Sequence, residues 1–145
     1  MTATLREKLV RNMDDVDWRA EKAHSPLYEG VRSASVIGRR VAGTVAKKLG
    51  ASVDMVPPGK ATCPYHFHYA QEEMFVILEG SGTLRVSGER IAVRQADVID
   101  IPPGPEYPHQ LINTSNAPLK YLSISTQEFP EVCEYPDSGK YLAFT

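Results

Sequence analysis

Cysteine is scarce in this chain. The 145 residues hold two, Cys63 and Cys133. They form no Cys-x-x-Cys pair and no disulfide framework, so a stapled secreted scaffold is excluded. An excess of one charge is lacking too. Sixteen Lys and Arg face 18 Asp and Glu, for a formal net charge of -2, with no long block of either sign. A nucleic-acid partner would want a basic face, so none is expected. No apolar run reaches the roughly 18 residues that span a bilayer. The first 30 residues carry charges throughout and lack the apolar core of a secretory signal. The expectation is a cytoplasmic protein with reduced thiols and no membrane association. Long amphipathic helices, internal repeats and low-complexity tracts are missing as well.

Against these gaps stands an ordinary globular balance, 42% hydrophobic and 23% charged. A chain of this length buries roughly two thirds of its unfolded surface and needs no staples. From about residue 36 onward, short apolar runs recur with turn chemistry between them. Val36 to Val45 is β-branched but broken by Gly38 and Gly43, and reads as a strand with a bulge or a short helix. Gly50 to Val56 alternates as a strand and is closed by Pro57-Pro58-Gly59. Met74 to Leu78 is apolar and of strand length. Thr83–Ser87 and Arg90–Arg94 alternate around Ser87-Gly88-Glu89, a hairpin signal. Val98 to Ile101, His109 to Ile112 and Tyr121 to Ser125 complete the series. This spacing is that of an all-β sandwich or barrel.

The ends are less patterned. Leu5 and Leu9 allow one helical turn. Trp18, the single tryptophan, is expected to pack an N-terminal arm against the body. His24-Ser25-Pro26 reads as a turn. Residues 127–145, with their proline and glycine turns, read as a tail over the surface. The division is an arm at 1–35, a barrel at 36–128 and a tail at 129–145, in one domain overall.

The chemistry concentrates in residues 59–80. His66 and His68 stand two apart, a spacing that puts both imidazoles on one face of a strand and would splay them on a helix. A four-residue turn then leads to Glu73, which opens the returning strand and shares a face with Phe75 and Ile77. Two nitrogens and one oxygen on adjacent strands suit a divalent transition metal. Of the two other histidines, His109 follows a rigid Pro-Pro-Gly-Pro turn and opens an apolar strand. It is a better fourth donor than His24, which lies in the unpatterned N-terminal region.

Other residues near this stretch have two readings each. Glu72 adjoins Glu73 and reads as a solvated turn residue, or as a functional one, the ligand in place of Glu73 or a base beside the metal. Cys63 reads as a packing residue, or as a reactive thiol. Tyr65, Tyr69 and Tyr107 are candidates to line a mouth, or rim aromatics. Phe67 should face away from the histidines. Arg85, Arg90 and Arg94 alternate with Leu84, Val86, Ile91 and Val93 and read as a solvated face, as do Arg39-Arg40 and Lys47-Lys48.

These residues resemble the cupin superfamily. Its first motif follows His-x-His, after three or four intervening residues, with a glutamate and, after six more, a glycine; His66, His68, Glu73 and Gly80 fit it. Its second sets a Pro-x-Gly turn before a histidine and an asparagine; Pro102-Pro103-Gly104, His109 and Asn113 fit it. One extra residue separates Gly59 from His66, Ala96 stands where the motif has glycine, and four residues rather than two separate Gly104 from His109. The resemblance covers about residues 48–126. It implies a double-stranded β-helix, or jelly-roll barrel, with metal ligands His66, His68, Glu73 and His109, and often a homodimer. The nearer resemblance is to small single-domain bacterial cupins of uncharacterised function, some loosely labelled sugar-phosphate isomerase-like.

Two functional readings follow. One is an enzyme acting on a small molecule at a His3Glu centre of iron, manganese, nickel, zinc or copper, with dioxygenase- or isomerase-like chemistry. The other is a cupin that binds or senses a small ligand without turnover. The 35 residues before the barrel are too few and too irregular for a DNA-binding helix-turn-helix.

Overall fold

A computed structural model describes residues 2–20 and 25–144. His24, and so the start of its expected turn with Ser25 and Pro26, lies outside the described residues. Its regular secondary structure is almost all strand. The elements, in order, are α1 (Leu5–Leu9), β1 (Arg19–Ala20), β2 (Arg32–Ile37), β3 (Gly50–Val56), β4 (Phe67–His68), β5 (Glu73–Glu79), β6 (Ser81–Val86), β7 (Glu89–Arg94), β8 (Val98–Ile101), β9 (His109–Ile112), β10 (Leu119–Ser125), β11 (Glu131–Tyr135) and β12 (Lys140–Phe144).

All pairings are antiparallel. One six-stranded sheet runs β1-β2-β3-β10-β5-β8. Two three-stranded sheets run β12-β11-β4 and β7-β6-β9. An isolated bridge between His66 and His109 ties the two smaller sheets together. The arrangement is the jelly roll that the motif spacing implies.

Strand periodicity explains which side chains enter the barrel. Phe75 and Ile77 of β5, Leu84 and Val86 of β6 and Leu111 of β9 are buried together with Tyr121. Each such side chain contributes about 1.5–3 kcal/mol by leaving water. Glu73 shares the parity of Phe75 and Ile77, so the same alternation carries its carboxylate inward at the end of the strand. Gly80 closes β5 at φ +85°, and a Cβ there would stand 2.3 Å from the Pro118 carbonyl oxygen. Only glycine fits both demands.

The hairpin between β6 and β7 has a two-residue loop, Ser87-Gly88, with positive φ at both positions (48° and 81°), as a type I′ turn requires. Ile91 departs from the expected inward row and is 44% exposed. The weak strand at Val36–Val45 is corrected to Arg32–Ile37, followed by turns. The chain pairs where β3 offers partners, and Gly38 and Gly43 fall beyond the pairing. Trp18, with Met13 and Val16, packs against Ala34, Val36 and Val53 on the six-stranded sheet, as expected of an arm. Helix α1 is capped by Thr4 but buries no residue.

The reading of the C-terminal residues as a surface tail is also corrected. Residues 131–144 form the hairpin β11–β12, and β11 pairs with β4 in the register Cys133 with His68 and Glu134 with Phe67. This hairpin lies across the strand that carries the histidines. No helix among the described residues is long and apolar enough to cross a membrane.

Candidate metal centre

His66 and His109 come from distant parts of the sequence, and their backbones hold each other. The His66 N–H donates to the His109 carbonyl at 3.0 Å, and the His109 N–H donates back at 2.8 Å. The Pro102–Pro105 turn is fixed to the same place, because the Gly104 N–H donates to the His68 carbonyl at 2.7 Å. Asn113 secures the other end of β9. It is fully buried, donates to the carbonyls of Val56 and Ala117 at 2.8 Å each, and accepts from Ser115. The lengthened loop before His109 therefore does not displace it.

The side chains of the four expected residues meet. Glu73 Oε1 lies 2.7 Å from His68 Nε2, 3.1 Å from His109 Nε2 and 3.8 Å from His66 Nε2. Two of the rings have their tautomers set from behind. His66 Nδ1 donates to the Pro64 carbonyl at 2.8 Å, and His109 Nδ1 to the Tyr107 carbonyl at 3.0 Å. That leaves each Nε2 facing Glu73, as a ligating imidazole needs.

His68 is the informative ring. Both of its nitrogens are shielded from solvent and neither makes a hydrogen bond, although Nε2 stands 2.7 Å from a carboxylate oxygen. A buried nitrogen in that state is costly unless something else takes its lone pair. A ring nitrogen left in that state, among imidazoles that converge on one carboxylate oxygen, fits a bound cation. Two overlapping sets of ligand atoms among the described residues have a size that fits an ion: His66 with Glu73 and His109, and His66 with His68 and Cys133.

Electrostatics point the same way. Burial alone would raise the Glu73 pKa, but the hydrogen bond from His109 and the close imidazoles of His66 and His68 hold it well below the usual carboxylate range. Burial works against a charged His66 ring. Cys63 and Glu73 outweigh it, and the His66 pKa is raised to about 11.

The cupin domain family matches residues 52–125, a span that holds both histidine clusters and all of β3 from Ser52 to β10. The chain belongs to the cupin family. This cupin is 42% identical over 105 residues to an uncharacterised protein of Methanocaldococcus jannaschii, covering 72% of this chain and 69% of the relative. Among solved structures it is similar to a cupin-superfamily sugar phosphate isomerase from Silicibacter pomeroyi, with a TM-score of 0.75, 21% identity and coverage of 94% and 92% of the two chains. It is similar in fold also to a polyketide cyclase from Streptomyces resistomycificus, with a TM-score of 0.67, 24% identity and coverage of 83% and 80%.

Several neighbours take places that the sequence left open. Glu72 is exposed, as a solvated turn residue would be, and a shared hydrogen bond with Asp100 raises its pKa. Cys63 lies behind His66, with Sγ 3.7 Å from Nδ1. Tyr65 is buried under Arg85, whose guanidinium carbon is 3.8 Å from the ring centroid. Arg85 pairs with both oxygens of Asp137 rather than with a ligand. Tyr69 donates to Glu134 at 3.0 Å, half exposed, and Tyr107 offers its backbone carbonyl. Phe67 is buried away from the rings and packs edge-on against Tyr69.

The residues that sequence reasoning missed all sit on the C-terminal hairpin. Glu131 is 2% exposed, and its carboxylate accepts from the N–H groups of Tyr69, Ala70, Gln71 and Val132 at 2.6–3.0 Å. Its Oε2 lies 3.6 Å from His68 Nδ1. It thereby pins the turn after His68 and stands behind that ring. Cys133 brings its sulfur to His66 and His68. The Tyr135 ring centroid is 6.1 Å from that of His66, and burial together with a hydrogen bond to Cys133 raises its pKa. The signal was available: Glu131, Cys133 and Tyr135 alternate between Pro130 and the Pro136–Gly139 turn, which is strand spacing.

Proposed function

We propose that this cupin holds a divalent transition metal through His66, His68, Glu73 and His109, and uses it as an enzyme on a small molecule. The observation that carries this is the convergence of three imidazole Nε2 atoms on one oxygen of Glu73, with His68 unpartnered at 2.7 Å. When bound, the metal supplies Lewis acidity, or redox chemistry if it is iron, manganese or copper. The chain supplies the rest. The backbone carbonyls of Pro64 and Tyr107 orient two rings, and Glu131 supports the third. Tyr135 keeps its proton at neutral pH, so beside His66 it can act as a hydrogen-bond donor to a bound oxygen. This chemistry is open to either a dioxygenase- or an isomerase-like reaction. The outward position of Glu72 favours a second reading, in which a ligand is bound or sensed without turnover.

The test is elemental analysis of protein purified without a metal-affinity tag, beside the double variant His66→Ala with His68→Ala. The native protein should carry about one metal per chain, and the variant none, with a lower melting temperature. Full occupancy in the variant would sink the assignment. Zinc or nickel as the retained metal would argue for Lewis-acid chemistry over oxygenation.

We also expect a homodimer. The edge strand β8 exposes Val98 at 61%, beside Met74 of β5 at 38%, which leaves apolar surface on a sheet edge. Light scattering should give twice the chain mass, and a monomer at micromolar concentration would refute it.

A further inference from the structure

A cavity of about 560 Å³ opens beside the histidine cluster. His68 and Glu131 are on its wall, and Arg39, Arg40, Gln127 and Phe129 line it with them. The arginines were expected to be a solvated face; here they are exposed but border this cavity.

Their placement is unusual for two cations. The guanidinium carbon of Arg39 is 4.7 Å from the Phe129 ring centroid, and that of Arg40 is 5.6 Å from the same centroid. The two charges are therefore within about 10 Å of each other, near the screening length at physiological salt. Neither has a carboxylate partner within ion-pair distance among the described residues. Arg39 is also fixed in place, since its Nη2 donates to the Gln127 carbonyl. Gln127 stands at φ 51°, a left-handed backbone that a non-glycine residue adopts at a cost. Among the described residues the only acid lining the cavity, Glu131, already accepts four backbone N–H groups. What remains is a pair of unpaired planar guanidiniums held over one aromatic ring at an opening that leads to a candidate metal ligand. Guanidinium pairs in this setting bind carboxylate or phosphate oxygens through charge-assisted hydrogen bonds.

We propose that Arg39 and Arg40 form an oxyanion site, and that the substrate or ligand of this cupin is a small molecule whose carboxylate or phosphate sits there while its other end reaches the centre at His68. The second half of this statement rests on the metal reading above; the oxyanion site itself does not.

The test uses three α-hydroxy acids with the same metal-chelating end. Lactate has no second anion, malate has a second carboxylate and 3-phosphoglycerate has a phosphate. Calorimetry on the metal-loaded protein should show malate or 3-phosphoglycerate binding at least about tenfold tighter than lactate. The one that gains identifies the anion. The gain should vanish in Arg39→Gln with Arg40→Gln. Arg40→Gln alone leaves the Arg39 bond to Gln127 intact, guards against misfolding and should lose part of the gain; Arg40→Lys should restore some of it. Equal affinity for all three acids, or a gain that survives in the double variant, overturns the proposal. Metal content is measured first. If the protein holds no metal, the metal reading fails on its own, and inorganic phosphate becomes the probe. Phosphate binding to the native chain, seen by 31P line broadening, weakened in Arg40→Gln and absent in Arg39→Gln with Arg40→Gln, upholds the oxyanion site; no binding, or binding unchanged by either variant, refutes it.

Discussion

Ala96 holds a φ of 76°, in the left-handed region, at the point where the cupin motif has glycine. Its N–H donates to the Ile77 carbonyl at 2.9 Å, so the turn between β7 and β8 is fixed and the residue cannot relax away. A β-carbon in that conformation costs about 1–2 kcal/mol, part of which glycine gives back as unfolded-chain entropy. Ala96→Gly should therefore stabilise the protein by about 0.5–1 kcal/mol and raise its melting temperature by roughly 2–3 °C. Differential scanning calorimetry reads this directly, and an unchanged or lower midpoint would show that the turn is not under strain. At the same scale, Asn113 was legible only as a motif letter. Its work is structural: buried between β3 and the turn after β9, it donates to a carbonyl on each and ties them together.

At the scale of elements, the strands on either side of the centre were readable because apolar and polar residues alternate in them. Val98–Ile101 and His109–Ile112 form with the bounds their turns set. The hairpin β11–β12 was not readable in that way. Its inward face carries Glu131, Cys133 and Tyr135, and Val132 faces the other way, so the usual apolar-in pattern is reversed. Polar residues can face inward there because the turn after His68 offers them N–H donors, a fact that exists only in three dimensions. Glu131→Gln keeps the shape but replaces one acceptor oxygen with an NH2 group set against backbone N–H groups. A buried donor without an acceptor costs about 1–3 kcal/mol. Loss of support behind a ligating imidazole typically lowers metal affinity by about 10–100-fold. Competition against a chelator of known affinity should show a fall in that range for Glu131→Gln. An affinity equal to the native protein would mean that the hairpin merely covers the site.

For the whole molecule, the charge state of the centre sets how it loads. The His66 pKa, raised to about 11, means that this ring is protonated at neutral pH, and a metal must displace its proton. Glu73, held well below its usual range, is already ionised and releases none. The sign follows: removing protons from solution favours the bound form. Affinity should rise with pH between about 6.5 and 8.5, by up to tenfold per pH unit for the one proton displaced. Titrations in buffers of different ionisation enthalpy should detect that proton. A pH-independent affinity over this window would show that His66 does not ligate. The fold and the candidate ligand residues were thus largely written in local spacing, whereas the proton balance, the hairpin support and the cavity beyond it depend on residues brought together from far apart in the chain.

The paired backbone bonds between His66 and His109 have a kinetic consequence. They are the seam where two sheets meet, an isolated bridge at the end of β9 and not part of a continuous ladder between the sheets. Such a seam opens more readily than a strand interior, and its two amide protons exchange with solvent at the rate of that opening. The proposed ion, held by both side chains, would have to let go before the seam parts. Deuterium uptake at these two amides, followed site by site, would then serve as a clock for how long the centre keeps its ion.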